Sequence, residues 1–212
     1  MRLTRSSVPR LYALTDREAA GLSHPDIVAE LVAAGVQWIQ IREKALSDAE
    51  FFAQTERALM SLPATVRAFV NDRADIALAC SADGVHSGAG DLSPASIRKI
   101  PGSEELLVGF STHDVESAVS AAADADVDYV AIGPIFRSQT KNVRDAVGIE
   151  AIAAIRRRTD KPLIAIGGID ETNIRSVLDA GADSAAVIAA LYRGRAVRAN
   201  AQRLLAAAGG SR

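Results

Sequence analysis

The chain has one cysteine, Cys80, in 212 residues, so it can form no internal disulfide and no cysteine cluster for a metal. Cys80 ends the apolar stretch "IALAC" and reads as a packed residue. Aromatic residues are only 4% of a composition that is 49% hydrophobic, so the core is expected to be built from Ala, Val, Ile and Leu. That aliphatic bias suits parallel strands covered by helices. The net charge is −2, which gives no electrostatic reason to expect a nucleic-acid or membrane partner. No stretch approaches the roughly 20 apolar residues of a membrane span. No basic run, proline-rich linker or low-complexity tract divides the chain. The first ten residues, "MRLTRSSVPR", are basic but lack an apolar h-region, so a cytoplasmic protein without a signal peptide is expected.

What the sequence does have is alternation. Strand-like runs fall at 11–14, 38–41, 67–70, 84–86, 106–109, 129–132, 163–166 and 184–188, with helix-like segments between them. "HPDIVAELVAAG" places Pro25 at a helix start and Gly35 at its stop. "SDAEFFAQTERALMSL" opens with Ser47 and carries Glu50 three residues later, the pattern of a capping box. Eight β/α units without a linker predict a (β/α)8 TIM barrel, one domain over residues 1–212, with flexible tails at 1–9 and 208–212. A doubly wound sheet is the alternative.

In such a barrel, function lies at the C-terminal ends of the strands, and polar residues follow each apolar run there. Alternation along "QIREK" puts Gln40, Arg42 and Lys44 on one face and Ile41 and Glu43 on the other, which favours an anion site over a merely solvated strand end. Strand 3 ends in Asn71-Asp72, either of which could instead cap the next helix. Strand 4 leads to His86 and then to "SGAGD", where Asp91 reads as a turn residue or as a partner to Asp72. Two carboxylates facing an Arg/Lys cluster suggest Mg²⁺ held between protein and phosphate. Strand 5 is followed by Ser111, Thr112, His113 and Asp114. Strand 6 breaks at Gly133-Pro134 and delivers a polar loop with Ser138, Thr140 and Lys141. Gly167-Gly168 after strand 7 and the turn after strand 8 read as a backbone phosphate cup. The basic residues Arg193, Arg195 and Arg198 read as a solvated helix face.

Taken in order, "QIREK", "NDR", "ADGVH" with its glycines and Asp91, "STHD", "GPIF" followed by "TK", and "AIGGI" resemble the thiamine phosphate synthase family, from Leu11 to about residue 191. The resemblance implies the coupling of a hydroxymethylpyrimidine diphosphate to a thiazole phosphate, with release of diphosphate. It implies that Gln40 contacts the pyrimidine, that Arg42, Lys44, Asn71, Ser111 and Lys141 hold the diphosphate, and that Asp72 and Asp91 ligate Mg²⁺. It further implies that Ser138 and Thr140 lie on a closing loop, and that Gly168, Ile188 and Ala189 cradle the thiazole phosphate. The partners implied are phosphorylated small molecules, and a homo-oligomer stays open. Ser87, Ala89 and Ala189 depart from the family's usual pattern, which puts affinity in question. Two other readings stand beside it: a thiazole tautomerase of the same family, which would use His113 for proton transfer, and a non-catalytic phosphate-ligand sensor.

Overall fold

The computed structural model describes residues 3–60, 62–137 and 146–210. Its eight strands are β1 (Leu11–Leu14), β2 (Trp38–Ile41), β3 (Arg67–Asn71), β4 (Gly84–Ser87), β5 (Leu107–Thr112), β6 (Tyr129–Ile132), β7 (Leu163–Ile166) and β8 (Ser184–Val187). Each pairs in parallel with the next, and β8 returns to β1, so the sheet closes into a barrel. The helices between them among the described residues are α1 (Arg17–Ala20), α2 (His24–Ala33), α3 (Asp48–Leu59), α4 (Ala74–Ala79), α5 (Pro94–Ile97), α6 (Val115–Ala123), α7 (Ile149–Arg156), α8 (Ile174–Asp179) and α9 (Val197–Ala207). The capping box of Ser47 and Glu50 forms as expected at the start of α3.

Period-two alternation sorts the strand residues into two layers. The outward layer, against the helices, is aliphatic: Ile39, Ile41, Val70, Val85, Val108, Val130, Ile132, Ala165 and Val187 all belong to it. The inward layer departs from the composition-based expectation. Tyr12, Trp38, Phe69 and Tyr129 converge in the barrel interior, with Trp38 and Phe69 ring centroids 4.7 Å apart. The rings fit because glycines sit beside them. Gly84 pairs with Phe69 and Gly109 with Tyr129 across neighbouring strands. A Cβ at Gly109 would lie 2.0 Å from Tyr129 Cζ, and one at Gly84 would lie 2.5 Å from Phe69 Cδ1.

Three aspartates set the register from below. Asp83, Asp128 and Asp183 each precede an even-numbered strand. Each accepts a hydrogen bond from a backbone N–H of the preceding strand: Ala68 at 2.8 Å, Val108 at 2.7 Å and Leu163 at 3.0 Å. Each also donates its own N–H to the carbonyl of that same residue. Asp183 is buried and takes Arg156 and Arg5 as counter-ions. Arg5 belongs to a 3₁₀ turn, Arg5–Ser7, and Val8 behind it is buried in the inner cluster. The described part of the expected N-terminal tail therefore packs against the barrel. Ala208, expected in the other tail, is buried as well, and its carbonyl accepts from Arg10.

Candidate active site

The β2 strand ends at Ile41, and the following loop is held by Glu43. One carboxylate oxygen of Glu43 accepts from the N–H groups of Lys44, Ala45 and Leu46, and the other from Arg17 and His24. Burial pushes this carboxyl up, but the backbone N–H groups of Ala45 and Lys44 and the hydrogen bond from Arg17 outweigh it and hold its pKa at about 2. The adjacent Arg42 N–H is fixed by Thr15 Oγ1 at 3.0 Å. Arg42 and Lys44 thus leave a loop whose N–H groups at Arg42, Lys44, Ala45 and Leu46 are held by side chains, although neither sequence alternation nor the family motif pointed to Glu43 as its anchor.

Lys44 Nζ reaches Asp72 Oδ2 at 2.6 Å, joining the ends of β2 and β3. Asp72 has φ of 64°, the left-handed region that favours glycine. The Arg73 N–H bonds back to Asn71 C=O across it at 2.8 Å, a γ-turn of the rare positive-φ form. This geometry decides against the capping alternative. The N-cap of α4 is Arg73, with no side-chain cap, and Asp72 is aimed at Lys44. Strained residues of this kind persist where the surroundings over-determine them, commonly at functional sites.

On β4, His86 points inward and Ser87 outward. Ser87 is buried with its hydroxyl unpaired, so this departure from the family pattern lies on the helix side of the sheet. Asp91 Oδ2 accepts from Gly88 N–H at 2.9 Å and closes the β4 loop. A Cβ on Gly88 would lie 3.4 Å from that oxygen and 3.8 Å from Ser111 Cβ, which sets the Asp91 loop beside Ser111 of β5. Ala89, on the same loop, is exposed.

A chain of hydrogen bonds crosses the barrel interior beneath these residues. Gln40 Nε2 donates to Tyr12 Oη at 3.0 Å, and Tyr12 Oη lies 3.1 Å from Tyr129 Oη. Tyr129 Oη lies 3.0 Å from His86 Nδ1, and His86 Nε2 lies 2.8 Å from Ser111 Oγ. Burial pushes the His86 pKa down to about 4, against the pull of the Asp72 charge, so the ring is neutral at physiological pH. Burial also pushes both tyrosines up. The motifs missed Tyr12 and Tyr129 because they lie within the apolar runs of β1 and β6, ahead of the polar residues that follow those strands, and read as core. The signal was available in their polar tips, since a buried tyrosine hydroxyl usually finds a partner.

The remaining mouth is formed by β6, β7 and β8. Ile135 N–H bonds to Ile166 C=O at 2.9 Å and Phe136 N–H to Gly167 C=O at 3.0 Å. From the far side of the loop, Val147 N–H reaches Pro134 C=O and Gly148 N–H reaches Ile135 C=O. The loop after β6 therefore leaves through a neck pinned on both sides. Ser138, Thr140 and Lys141 lie outside the described residues. Gly167 and Gly168 have φ of 102° and 67°, and a Cβ on Gly168 would lie 2.7 Å from Phe136 Cβ. The turn needs glycine for both its conformation and this contact. The N–H groups of Gly168 and Ile169 make no hydrogen bond among the described residues. They precede a turn and not a helix, since α8 starts only at Ile174. Across from them, Ile188 is the N-cap of the 3₁₀ segment Ala189–Arg195, which leaves the first N–H groups of that segment without helical partners. Arg193 is exposed, as expected, and also pairs with Asp170 at 2.7 Å and Glu171 at 3.1 Å, tying the β7 and β8 loops together. Arg198 likewise pairs with Glu30.

His113 Nδ1 donates to Gly133 C=O at 2.7 Å, bracing the β5 loop against the neck. Among the described residues no group of three or more His, Cys, Asp or Glu side chains is placed to hold a metal, and no helix is long and apolar enough to cross a membrane. A groove of about 480 Å³ between α2 and α9 is lined by two charges of each sign, Asp26 and Glu30 with Arg195 and Arg198, of which Glu30 and Arg198 pair with each other.

Residues 11–191 match the family model described as thiamine monophosphate synthase. The chain is 46% identical over 192 residues to the thiamine-phosphate synthase of Koribacter versatilis (strain Ellin345), covering 87% of this chain and 89% of that protein. It is 37% identical over 200 residues to the thiamine-phosphate synthase of Chloroflexus aurantiacus (strain ATCC 29366 / DSM 635 / J-10-fl), covering 93% and 91%. Among solved structures, thiamine phosphate pyrophosphorylase from Pyrococcus furiosus superposes with a TM-score of 0.86 at 30% identity, covering 97% of each chain.

Proposed function

The chain belongs to the thiamine monophosphate synthase family, and from that premise we propose that it is a transferase that couples 4-amino-2-methyl-5-hydroxymethylpyrimidine diphosphate to a thiazole phosphate, forming thiamine phosphate and diphosphate. The observation that carries the reading is the Lys44–Asp72 pair at 2.6 Å, a cation and a strained carboxylate at the mouth of the barrel. A tautomerase or a simple phosphate sensor has no need of that pair.

The chemistry follows from where charge grows. When the methylene–oxygen bond of the pyrimidine substrate breaks, negative charge collects on the leaving diphosphate. Arg42 and Lys44 supply positive charge to it, and Asn71 and Ser111 supply hydrogen bonds. Lys141, outside the described residues, is assigned to the same role by its motif, with Ser138 and Thr140 beside it. Preorganised charge of this kind is commonly the largest catalytic contribution. The electron-rich aminopyrimidine carries the transient positive charge, and the thiazole nitrogen attacks the methylene carbon. No protein nucleophile is required. Gln40 positions the pyrimidine. The turn at Gly168, with Ile188 and Ala189, receives the thiazole phosphate through backbone N–H groups.

Asp72 and Asp91 are the residues that would hold Mg²⁺. Each has one oxygen engaged within the protein and a second without a hydrogen bond among the described residues. Two carboxylates completed by substrate phosphate oxygens are an ordinary Mg²⁺ donor set. When bound, Mg²⁺ neutralises charge on the leaving diphosphate.

The test is to incubate the purified chain with both substrates and Mg²⁺ and follow thiamine phosphate and diphosphate together. Equimolar appearance of the two is expected. Tight binding of both substrates with no product would overturn the reading.

A further inference from the structure

Partners divide the half-buried arginines into two groups. Arg5 and Arg156 pair with Asp183, Arg17 with Glu43, Arg73 with Asp75 and Arg98 with Asp128, and Arg10 donates to the Ala208 carbonyl. Arg42 and Arg67 are half-buried too, and neither guanidinium makes a hydrogen bond or ion pair among the described residues. Drawing a charge partly out of water without a partner is unfavourable, so a residue of this kind points to a ligand that supplies one.

Arg42 stands at the mouth, where an anionic substrate is received. Arg67 stands at the opposite end of the barrel. It opens β3, and alternation from Phe69 of the inner aromatic layer turns it toward the barrel interior. Its partner across the ladder is Trp38, from the same layer. The N-terminal face of this fold ordinarily serves stability. Arg5, Arg98 and Arg156 do so there by pairing with Asp183 and Asp128, which hold the strand register. Arg67 has no such counter-ion among the described residues.

Arg67 instead lines a cavity of about 250 Å³ at the starts of β2 and β3. Gln37, just ahead of β2, and Thr65, two residues ahead of β3, line it as well. Their side chains are also without a hydrogen bond among the described residues. Ser6 and Ser7 of the N-terminal turn contribute from a separate segment. No aspartate or glutamate is among the described residues that line it. One cation with an amide and hydroxyls, and no carboxylate to compete, is a donor set for an oxyanion. The planar guanidinium fork matches two oxygens of a phosphate. The volume is below the roughly 300–1,000 Å³ of pockets for drug-sized ligands, so the ligand is small.

We propose that this cavity at the N-terminal end of the barrel is a second anion site, one that binds a phosphate group with Arg67 as counter-charge and Gln37 and Thr65 as hydrogen-bond donors. It lies at the opposite end of the barrel from the synthase site and does not rest on the synthase reading. The phosphate is either inorganic phosphate or the end group of a small phosphorylated molecule.

Trp38 is the only tryptophan in the chain and lines the cavity, so its fluorescence reports on this end of the barrel. Inorganic phosphate is titrated into the full chain at constant ionic strength by exchange for chloride. Bound phosphate is counted in parallel by equilibrium dialysis, without substrates. A saturable Trp38 response is expected in the parent and in Arg42→Gln. Arg67→Gln should raise the half-saturating phosphate concentration about tenfold or more, the effect of losing a charge-assisted hydrogen bond. Gln37→Leu should raise it about threefold, as for a neutral hydrogen bond, and replaces Arg67→Gln if that variant fails to fold. Ethyl phosphate distinguishes the two sources: tighter binding than inorganic phosphate assigns the site to a phosphorylated molecule, and weaker binding assigns it to free phosphate. A response that is unchanged in Arg67→Gln, or that is lost in Arg42→Gln, overturns the proposal. Equal phosphate retention by the parent and Arg67→Gln in dialysis, with Trp38 silent in both, overturns it as well.

Discussion

The ammonium of Lys44 lies 2.6 Å from an oxygen of Asp72, and Asp72 reaches it from a backbone conformation, φ of 64°, that side-chain-bearing residues avoid. Holding a non-glycine residue there costs on the order of 1–3 kcal/mol. Asp72→Gly relieves that strain and removes the carboxylate. The variant should be as stable as the parent, or more stable by about 1 kcal/mol once the entropic cost of glycine is subtracted. Its turnover should fall at least a hundredfold. Urea unfolding and a product assay on the same sample check both halves, and a less stable variant with retained activity contradicts the functional account of Asp72.

Glu43 anchors the loop that presents Arg42 and Lys44, through five hydrogen bonds to its two oxygens. Glu43→Gln keeps the shape but replaces one accepting oxygen with a donor facing other donors. With charged hydrogen bonds contributing about 1.5–3 kcal/mol each, a loss of roughly 3 kcal/mol is expected. KM for the pyrimidine diphosphate should rise about tenfold, the size of effect expected for disordered cations, while KM for the thiazole phosphate stays put. Equal rises in both constants would show general damage instead of a local anchor.

Gly109 faces Tyr129 so closely that a methyl group has no room, its carbon falling 2.0 Å from Cζ. Gly109→Ala should cost about 3 kcal/mol or prevent folding, at the upper end of overpacking effects. Combining it with Tyr129→Ala should recover part of that loss. A single variant within about 0.5 kcal/mol of the parent, the range of neutral surface changes, contradicts the packing described for the barrel interior.

His24 is fully buried between α3 and the Glu43 loop, and burial pushes its pKa down to about 4 despite the neighbouring Glu43 charge. A histidine whose folded pKa is depressed contributes full stability above its unfolded value near 6.5 and loses it as pH falls toward the folded value. Between pH 7 and 4.5 the loss from His24 should be on the order of 2 kcal/mol. His24→Phe should flatten the dependence by that amount when unfolding is followed across this range. An identical pH slope in the variant would remove His24 as a cause.

The strand order was legible because eight apolar runs alternate with capped helices, and the mouth residues were legible because polar residues follow those runs. The aromatic interior was not. Tyr12, Trp38, Phe69 and Tyr129 are scattered across four strands, and only closure of the barrel brings them together. Gly84 and Gly109 look like ordinary strand glycines until the facing ring is known. No motif singles out Asp83, Asp128 and Asp183, because their reciprocal bonds to the preceding strand depend on register. Glu43 was assigned to the opposite face from Arg42 and Lys44, and its reach back to Lys44, Ala45 and Leu46 belongs to a loop conformation that alternation does not describe. The pairing of Arg193 with Asp170 and Glu171 was hidden for a similar reason, since it joins two loops about twenty residues apart.

The most direct test of the charged mouth is a Mg²⁺ titration of thiamine phosphate formation in the parent and in Asp91→Asn, which leaves the strained turn at Asp72 untouched. Product that disappears with EDTA, and a half-saturating Mg²⁺ concentration raised about tenfold or more in the variant as expected for loss of one of two carboxylate ligands, is the predicted result. Titration curves that superimpose would contradict the assignment of Asp91 and, with it, the account of how the diphosphate is made to leave.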